Sequence, residues 1–330
     1  ILAADNCDPS ICYKYFGCAP LESKYGSTSI DTMSVIDDQD NVLVNTNDCP
    51  FELSFTAATT LKEKYSKIDM LLVGYTSASA YPQCFTLSEA EKIREKERMQ
   101  QDFLKKAENY VNLFEPNYFM PFAGRYTLAG KLAPLNDYRG VTELDDAFSY
   151  FTNSKNIDVE KSKCIILNPG SIFDTETGQP SEPYKKIDKI QKQQYIQNVL
   201  AKRKLDYESE QEPEIDEIKS LIGKCYERFE RKRKELRFSS ETTVLIKLSS
   251  EEFLAISCNG NGWKIIKQKN IDNYKNYVKL SLDTRLLKWI LSGPRYAHWN
   301  VAENGSHITF ERTPNTYERG LYYCLAFFYA

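Results

Sequence analysis

VLVNTNDC, residues 42–49, is the stretch that decides how the rest of the chain is interpreted. Three apolar, β-prone residues run directly into a turn rich in Asn and Asp, which is typical of a buried strand that ends at a site. Open α/β sheets place their ligands outside the carboxyl ends of their strands. We therefore predict that Asp48 lies at such a strand end. The alternative is an aspartate that only forms the turn through bonds to backbone amides.

Two later strands end in a similar way, and we interpret the three ends as one rim. Residues 68–74 form an apolar run before Tyr75, and residues 118–122 form another before Ala123 and Gly124. Small residues at the third end would let a ligand or the sheet approach closely. The sequence predicts four substrate-binding residues on this rim: Asn47, Tyr75, Ser77 and Arg125. Arg125 is suited to holding an anion through two hydrogen bonds; the alternatives are an ordinary polar loop and a surface arginine.

Helices that alternate with buried strands indicate an α/β layer. Residues 55–65 are predicted to form a short helix and residues 87–114 a long one, with Ser88 and Glu91 as a capping box. Residues 126–180 are predicted to be loop-rich. We divide the chain into an α/β domain (1–180), a charged linker of two helices (181–238) and a small α+β domain (239–330), in which residues 280–291 are predicted to be a helix.

Composition excludes several classes of function. The 330 residues include 43 Lys and Arg against 46 Asp and Glu, a net charge of −3, so no general basic field favours nucleic acid. No apolar run approaches the roughly 18 residues of a membrane span. No signal peptide is visible, and nine scattered cysteines are an odd number that favours reduced thiols. We therefore predict a cytoplasmic protein.

The amino terminus suggests a cut through a domain. The chain begins at Ile1, without Met, inside a strand-like run. A truncated sheet has exposed edges that invite pairing with other chains. We therefore expect residues 1–20 to pack poorly.

The cysteines Cys7, Cys12, Cys18 and Cys49 are the candidates for a soft-metal site. Their spacings, CxxxxC and CxxxxxC for the first three, are not the CxxC knuckle of zinc ribbons. The alternative is that they are small, buried core residues.

The two histidines, His298 and His307, are candidates for acid–base roles. The alternative is that each is a packed, hydrogen-bonded residue. The chain has no GxSxG elbow, no P-loop and no GxGxxG motif, so a serine triad and the common nucleotide sites are not predicted.

Several strings together resemble a known family. They are NTNDC (45–49), KIDMLLVGYTSASAYPQCF (67–85), EPNYFMPFAGRYTLAGKL (115–132) and HWNVAENGSHITFERTPNTY (298–317). In this order they resemble the carboxyl-terminal half of a metallo-β-lactamase-fold domain, in the branch of the CMP-N-acetylneuraminate hydroxylase-like proteins. The resemblance covers residues 1–140 and 240–330 but not the helical middle.

The resemblance implies a partial αββα sandwich with a zinc or iron site on its rim. By position, Asp48 matches the family's metal-bridging acid and is the candidate metal ligand and catalytic residue. Ala123 stands where a hydrolase of the family has its last ligating histidine, and the HxHxDH motif that supplies most ligands would lie upstream of Ile1. This chain would then be a fragment of the whole protein.

Three functions follow as expectations. The first is a metal-dependent hydrolase that activates water beside Asp48. The second is the substrate-binding domain of a hydroxylase system, an oxidoreductase, that acts on an N-acyl sugar or a sugar nucleotide. The third is a non-catalytic binding module that has lost its metal. All three have a small-molecule partner, such as an N-acyl sugar or a phosphate-bearing compound, and none has a nucleic acid or a membrane span.

Overall fold

The structure is a computed structural model that describes residues 2–3, 32–122 and 124–330. Helices and mixed sheets alternate along the chain, so the predicted α/β class is confirmed. Among the described residues, no helix combines the length and the apolar character needed to cross a bilayer.

The first sheet has six strands that lie side by side in chain order. They are β1 (Leu2–Ala3), β2 (Thr32–Asp37), β3 (Val42–Asn45), β4 (Met70–Gly74), β5 (Tyr118–Phe122) and β6 (Lys163–Cys164). The pairs β1–β2 and β2–β3 are antiparallel, and β3 to β6 are parallel. The antiparallel pair β2–β3 is the hairpin that contains the strand of VLVNTNDC.

Among the described residues, three helices accompany this sheet: α1 (Phe51–Lys64), α2 (Glu89–Phe114) and α3 (Leu144–Thr152). The predicted capping box starts α2, because Ser88 Oγ accepts from Glu91 N and the Glu91 carboxylate accepts from Ser88 N. The apolar stripe of α2 packs in one core with Leu71 and Val73 of β4 and Phe119 of β5. The prediction that residues 126–180 are mostly loop was wrong for α3 and for a 3-10 helix at Gly130–Tyr138.

Strands β7 (Phe173–Asp174) and β8 (Gln179–Pro180) form a separate small hairpin. The second sheet has five strands: β9 (Thr243–Lys247), β10 (Glu252–Ser257), β11 (Trp263–Lys267), β12 (Tyr277–Ser281) and β13 (Thr309–Thr313). They lie in the order β11-β10-β9-β12-β13, and only β9 and β12 are parallel to each other. Gly260 and Gly262, both with φ +91°, form the turn between β10 and β11.

Five helices belong to the rest of the chain: α4 (Lys189–Asn198), α5 (Ile215–Glu235), α6 (Thr284–Ser292), α7 (Trp299–Asn304) and α8 (Arg319–Ala326). Short 3-10 helices lie at Leu200–Lys202, Asp206–Ser209 and Gln268–Asn273. The two helices predicted for residues 181–238 are present, and α5 buries its apolar stripe against the second sheet. The helix predicted for residues 280–291 starts later, because Leu280 belongs to β12 and Asp283 caps α6.

The two sheets are joined by direct contacts. The segment before α2 pairs with β13, since Thr86 N donates to Phe310 O and Phe310 N donates to Cys84 O, both at 2.8 Å. The rings of Phe85 and Phe310 stack with centroids 4.9 Å apart. Residues 80–87 are therefore part of the core of the second sheet.

Candidate functional site

The three strand ends of the predicted rim lie at one edge of the first sheet. Parallel pairing sets Asn45 opposite Leu72 and Gly74 opposite Phe122. The turn after β3 is tied to β4, because Thr46 N donates to Leu72 O at 3.0 Å and Gly74 N donates to Thr46 Oγ1 at 3.3 Å. The strand ends that the sequence grouped are thus neighbours in the structure.

Two glycines permit this close approach. A Cβ on Gly74 would lie 3.0 Å from the carbonyl oxygen of Asn47, and a Cβ on Gly124 would overlap Thr76 Cγ2. Gly124 also has φ +93°, a conformation that other residues rarely adopt. The small residue predicted at the third strand end is therefore required by both space and backbone.

A cavity of about 630 Å³ opens at this edge; we call it the rim cavity. It lies beyond the ends of β5 and β6, and its wall includes Tyr75, Gly124, Arg125, Asn168, Tyr184 and Lys185. Two of the four predicted substrate-binding residues, Tyr75 and Arg125, therefore meet on one cavity.

The other predicted residues lie elsewhere on the edge. Asn47 and Asp48 are exposed in the turn after β3, and Ser77 is half-buried after β4; none of the three lines the rim cavity. Asn47 has φ +49° and its N–H donates to Asn45 Oδ1 at 2.9 Å, so it shapes the turn. The catalytic role of Asp48 and the binding roles of Asn47 and Ser77 stay predictions.

Two cations, Arg125 and Lys185, lie on the wall of the rim cavity, and none of the described residues that line it is acidic. The nearest acid to Arg125 is Glu143, whose carboxylate lies 3.7 Å from Arg125 Nη1 and forms a closer ion pair with Lys192. Arg125 makes no hydrogen bond to a described residue, so its guanidinium is held only loosely.

Two phenols belong to the wall of the rim cavity. Burial is the main reason that the pKa of Tyr75 and the pKa of Tyr184 are both raised to about 12, so both hydroxyls stay protonated at neutral pH. Tyr184 Oη is buried, and the Asp145 carboxyl near it also raises the pKa of Tyr184. This hydroxyl is therefore covered by the fold and does not face the cavity.

The wall residues from 168 to 185 were not among the predicted site residues. Asn168 holds this segment in place, since its Nδ2 donates to Pro183 O at 3.0 Å and its Oδ1 accepts from Lys185 N at 2.9 Å. One signal was present: the sequence has a fourth apolar run, residues 164–167, that ends at Asn168 and resembles the other three strand ends. Nothing in the sequence pointed to Tyr184 or Lys185.

The described residues do not by themselves fit a zinc or iron site. They contain no group of three His, Cys, Asp or Glu residues close enough to hold a metal ion. Cys49 is buried beneath the rim, whereas Cys7, Cys12, Cys18 and Ala123 lie outside the described residues. The predicted zinc or iron would therefore need ligands from other parts of the protein, and it stays a prediction.

Both histidines are hydrogen-bonded and lie away from the rim cavity. His298 caps α7, where its Nδ1 accepts from Asn300 N at 3.2 Å. His307 Nδ1 lies 3.2 Å from Tyr207 Oη. These positions match the structural alternative for His298, while His307 lines a second cavity that is described below.

Comparisons with known proteins add no assignment. No protein-family model matches the chain, and neither the curated proteins nor the solved structures contain a significant match. The resemblance to the metallo-β-lactamase fold therefore remains a prediction from the sequence.

Proposed function

We propose that the chain binds a small molecule that carries a phosphate or carboxylate group in the rim cavity. The observation that carries this proposal is the wall of the cavity, where Arg125 and Lys185 face no acidic lining residue among those described. An anion placed there would meet two cations and the protonated phenol of Tyr75.

The long ion pair of Arg125 leaves its guanidinium available to bind a ligand. Its nearest carboxylate partner lies at 3.7 Å and is already engaged by Lys192. Turning the guanidinium towards a ligand would therefore lose little of its attraction to Glu143. A planar guanidinium can donate two parallel hydrogen bonds to a phosphate or carboxylate, which gives orientation as well as affinity.

The hydroxyl of Tyr75 provides a second reason. Burial raises the pKa of Tyr75 to about 12, so the hydroxyl is protonated at neutral pH and can donate to an anion. The cavity volume of about 630 Å³ is within the usual range for a small-molecule site.

Binding of an anion fits each of the predicted activities. It would serve a substrate-binding domain for an N-acyl sugar or sugar nucleotide that bears an acidic group, a non-catalytic binding module, or the substrate step of a metal-dependent hydrolase. The described residues offer no metal-ligating group, so we derive no chemical step and propose the binding step alone.

Titration calorimetry tests this proposal with three probes of similar size: glucose 1-phosphate, glucuronate and uncharged methyl glucoside. We expect Arg125→Gln to weaken binding of an anionic probe about 10–100-fold, because it removes charged hydrogen bonds. Arg94→Gln, an exposed arginine on α2, is the matched control and should bind as the wild type does. The proposal fails if neither anionic probe binds, or if Arg125→Gln and Arg94→Gln behave alike.

A further inference from the structure

The second sheet contains its own topological switch point. The parallel strands β9 and β12 lie side by side at its centre. After β9 the chain turns to β10 on one side, whereas after β12 it passes through α6 and α7 to β13 on the other side. Connections that leave two adjacent parallel strands in opposite directions open a crevice at their carboxyl ends, where α/β sheets commonly bind ligands.

A cavity of about 670 Å³ lies at that place; we call it the junction cavity. Residues 247–250, which end β9 and follow it, and residues 281–284, which end β12 and follow it, line one side. His307 and Lys131 complete the wall, and Lys131 comes from the 3-10 helix that precedes α3. Both halves of the chain therefore contribute to this cavity.

The fixed charges of the junction cavity are already paired with each other. Arg285 donates to the two carboxylate oxygens of Asp283 at 2.9 and 2.8 Å, and Lys131 donates to Asp283 at 2.8 Å. Lys131 also lies 3.1 Å from the Glu208 carboxylate and 4.8 Å from the centre of the Tyr207 ring. These groups hold the wall together and leave little net charge for a ligand. Lys247 and Glu212, which carry opposite charges, are exposed at the mouth of the junction cavity.

Apart from the exposed Lys247 and Glu212, the lining groups that make no side-chain hydrogen bond to a described residue are uncharged. The hydroxyls of Ser250, Ser281, Thr284 and Thr309 line the cavity and make no side-chain hydrogen bond to the described residues. His307 Nδ1 is hydrogen-bonded to Tyr207 Oη. His307 Nε2 makes no hydrogen bond to a described residue. Burial, together with the charge of Lys131, lowers the pKa of His307, so the ring is neutral at pH 7.

Hydroxyls and a neutral imidazole can each donate and accept a hydrogen bond. This matches the hydroxyl groups of a polyol, which also donate and accept. An anion would instead meet the carboxylates of Asp283 and Glu212, while Lys247, the lining cation outside the ion pairs, is exposed and screened by solvent. Leu132, Leu135 and Leu282 add apolar surface that suits the C–H faces of a sugar ring.

We propose that the junction cavity is a second ligand site, one that binds an uncharged polyhydroxylated molecule of the size of a mono- or disaccharide. The site is built from the switch point of β9 and β12, and it is independent of the anion site on the first sheet. Its hydroxyls and imidazole recognise the ligand, and its ion pairs hold the wall in place.

Ligand-detected saturation-transfer NMR on the full chain tests this proposal with methyl glucoside, methyl mannoside, N-acetylglucosamine and maltose, with glucose 1-phosphate as the charged comparison. At least one uncharged probe is expected to give a saturable signal with a Kd of millimolar or below. Ser281→Ala combined with Thr284→Val removes two hydroxyls without adding bulk to the cavity and should weaken that probe roughly tenfold. Thr316→Val, an exposed threonine outside the cavity, is the matched control and should leave the Kd unchanged.

The proposal is overturned if no uncharged probe saturates, if the double variant binds as Thr316→Val does, or if the double variant weakens only glucose 1-phosphate. A circular dichroism melt confirms that the double variant is folded. Should it not fold, the exposed positions Ser250→Ala and Thr309→Ala replace it, and each is expected to weaken the probe about threefold. Unchanged binding in both of these variants would equally overturn the proposal.

Discussion

The rim cavity and the junction cavity have nearly the same volume, about 630 and 670 Å³, yet they differ in charge. Both open beyond the carboxyl ends of parallel strands. In the rim cavity the lining cations face no lining acid among the described residues, whereas in the junction cavity Lys131 and Asp283 neutralise each other at 2.8 Å. Topology therefore makes the cavity, and the side chains just beyond the strand ends select the class of ligand.

The largest effect on stability is expected at Gly124, and it tests whether the rim requires a glycine at this position. Gly124→Ala should lower the free energy of unfolding by about 2–4 kcal/mol, because the new Cβ overlaps Thr76 and the backbone keeps a positive φ. Gly262→Ala is the matched control, since Gly262 has a similar φ of +91° but nothing within 4 Å of the added Cβ. It should lose only about 1–2 kcal/mol. Equal losses in urea denaturation would show that Gly124 makes no tight contact.

The next prediction compares the ion pairs of the junction cavity with those beside the rim cavity. Asp283→Asn should lower the free energy of unfolding at pH 7 by about 1–3 kcal/mol, because Lys131 and Arg285 lose their shared carboxylate. Glu143→Gln, beside the rim cavity, should lower it by less, about 0.5–1 kcal/mol, because its ion pairs with Lys192 and Arg125 join partly exposed groups.

The loss in Asp283→Asn should also depend on pH. The hydrogen bonds from Arg285, together with Lys131, hold the pKa of Asp283 well below its usual range. A lowered carboxyl pKa contributes stability that is complete above the unfolded value, about 3.9, and is lost as pH falls through the folded value. Urea denaturation at pH 7 and at pH 3 should show the two proteins converging at the lower pH. A difference that is the same at both values would contradict this assignment.

A smaller effect distinguishes a binding hydroxyl from a structural one. Tyr184→Phe removes a buried hydroxyl that makes no hydrogen bond to the described residues, so the unliganded protein should become more stable, by up to about 1 kcal/mol. The same change should alter the affinity for an anionic probe by less than about twofold, because Tyr184 Oη is buried. Thermal melts and calorimetry measure the two effects, with the exposed Tyr195→Phe as control. A loss of stability would show that the hydroxyl serves the fold, and a larger loss of affinity would show that it binds the ligand.

The smallest effect concerns Lys185, which is exposed. Lys185→Gln should weaken an anionic probe about threefold at low salt and less at high salt, because exposed charges are screened. Its neighbour Lys186 is exposed but does not line the rim cavity, so Lys186→Gln is the matched control. Calorimetry at two salt concentrations should separate the two variants, and identical affinities would remove Lys185 from the site.

The first sheet could be predicted to a large extent, because its signals are local. Each of the runs 42–45, 68–74 and 118–122 is a short apolar strand that ends in polar or small residues, and parallel pairing brings these ends together. The capping box at Ser88 likewise depends on residues three apart. Tyr184 escaped prediction because it reaches the cavity through a long connection that Asn168 anchors.

The junction cavity could not be found from the sequence for a definite reason. The helix was predicted to begin at Leu280, and no strand was predicted for residues 277–281, because Leu280 and Leu282 were assigned to the apolar residues of α6. Without β12 there is no parallel partner for β9 and no switch point. The pair Lys131–Asp283 spans 152 residues, and no local pattern indicates an ion pair at that separation.

A crystal structure of the protein with glucose 1-phosphate tests the central claim most directly, namely that the charge of each cavity selects its ligand. We expect the phosphate in the rim cavity, with its oxygens about 2.7–3.1 Å from the guanidinium nitrogens of Arg125. A phosphate bound in the junction cavity, or bound elsewhere with Arg125 unengaged, would contradict the claim.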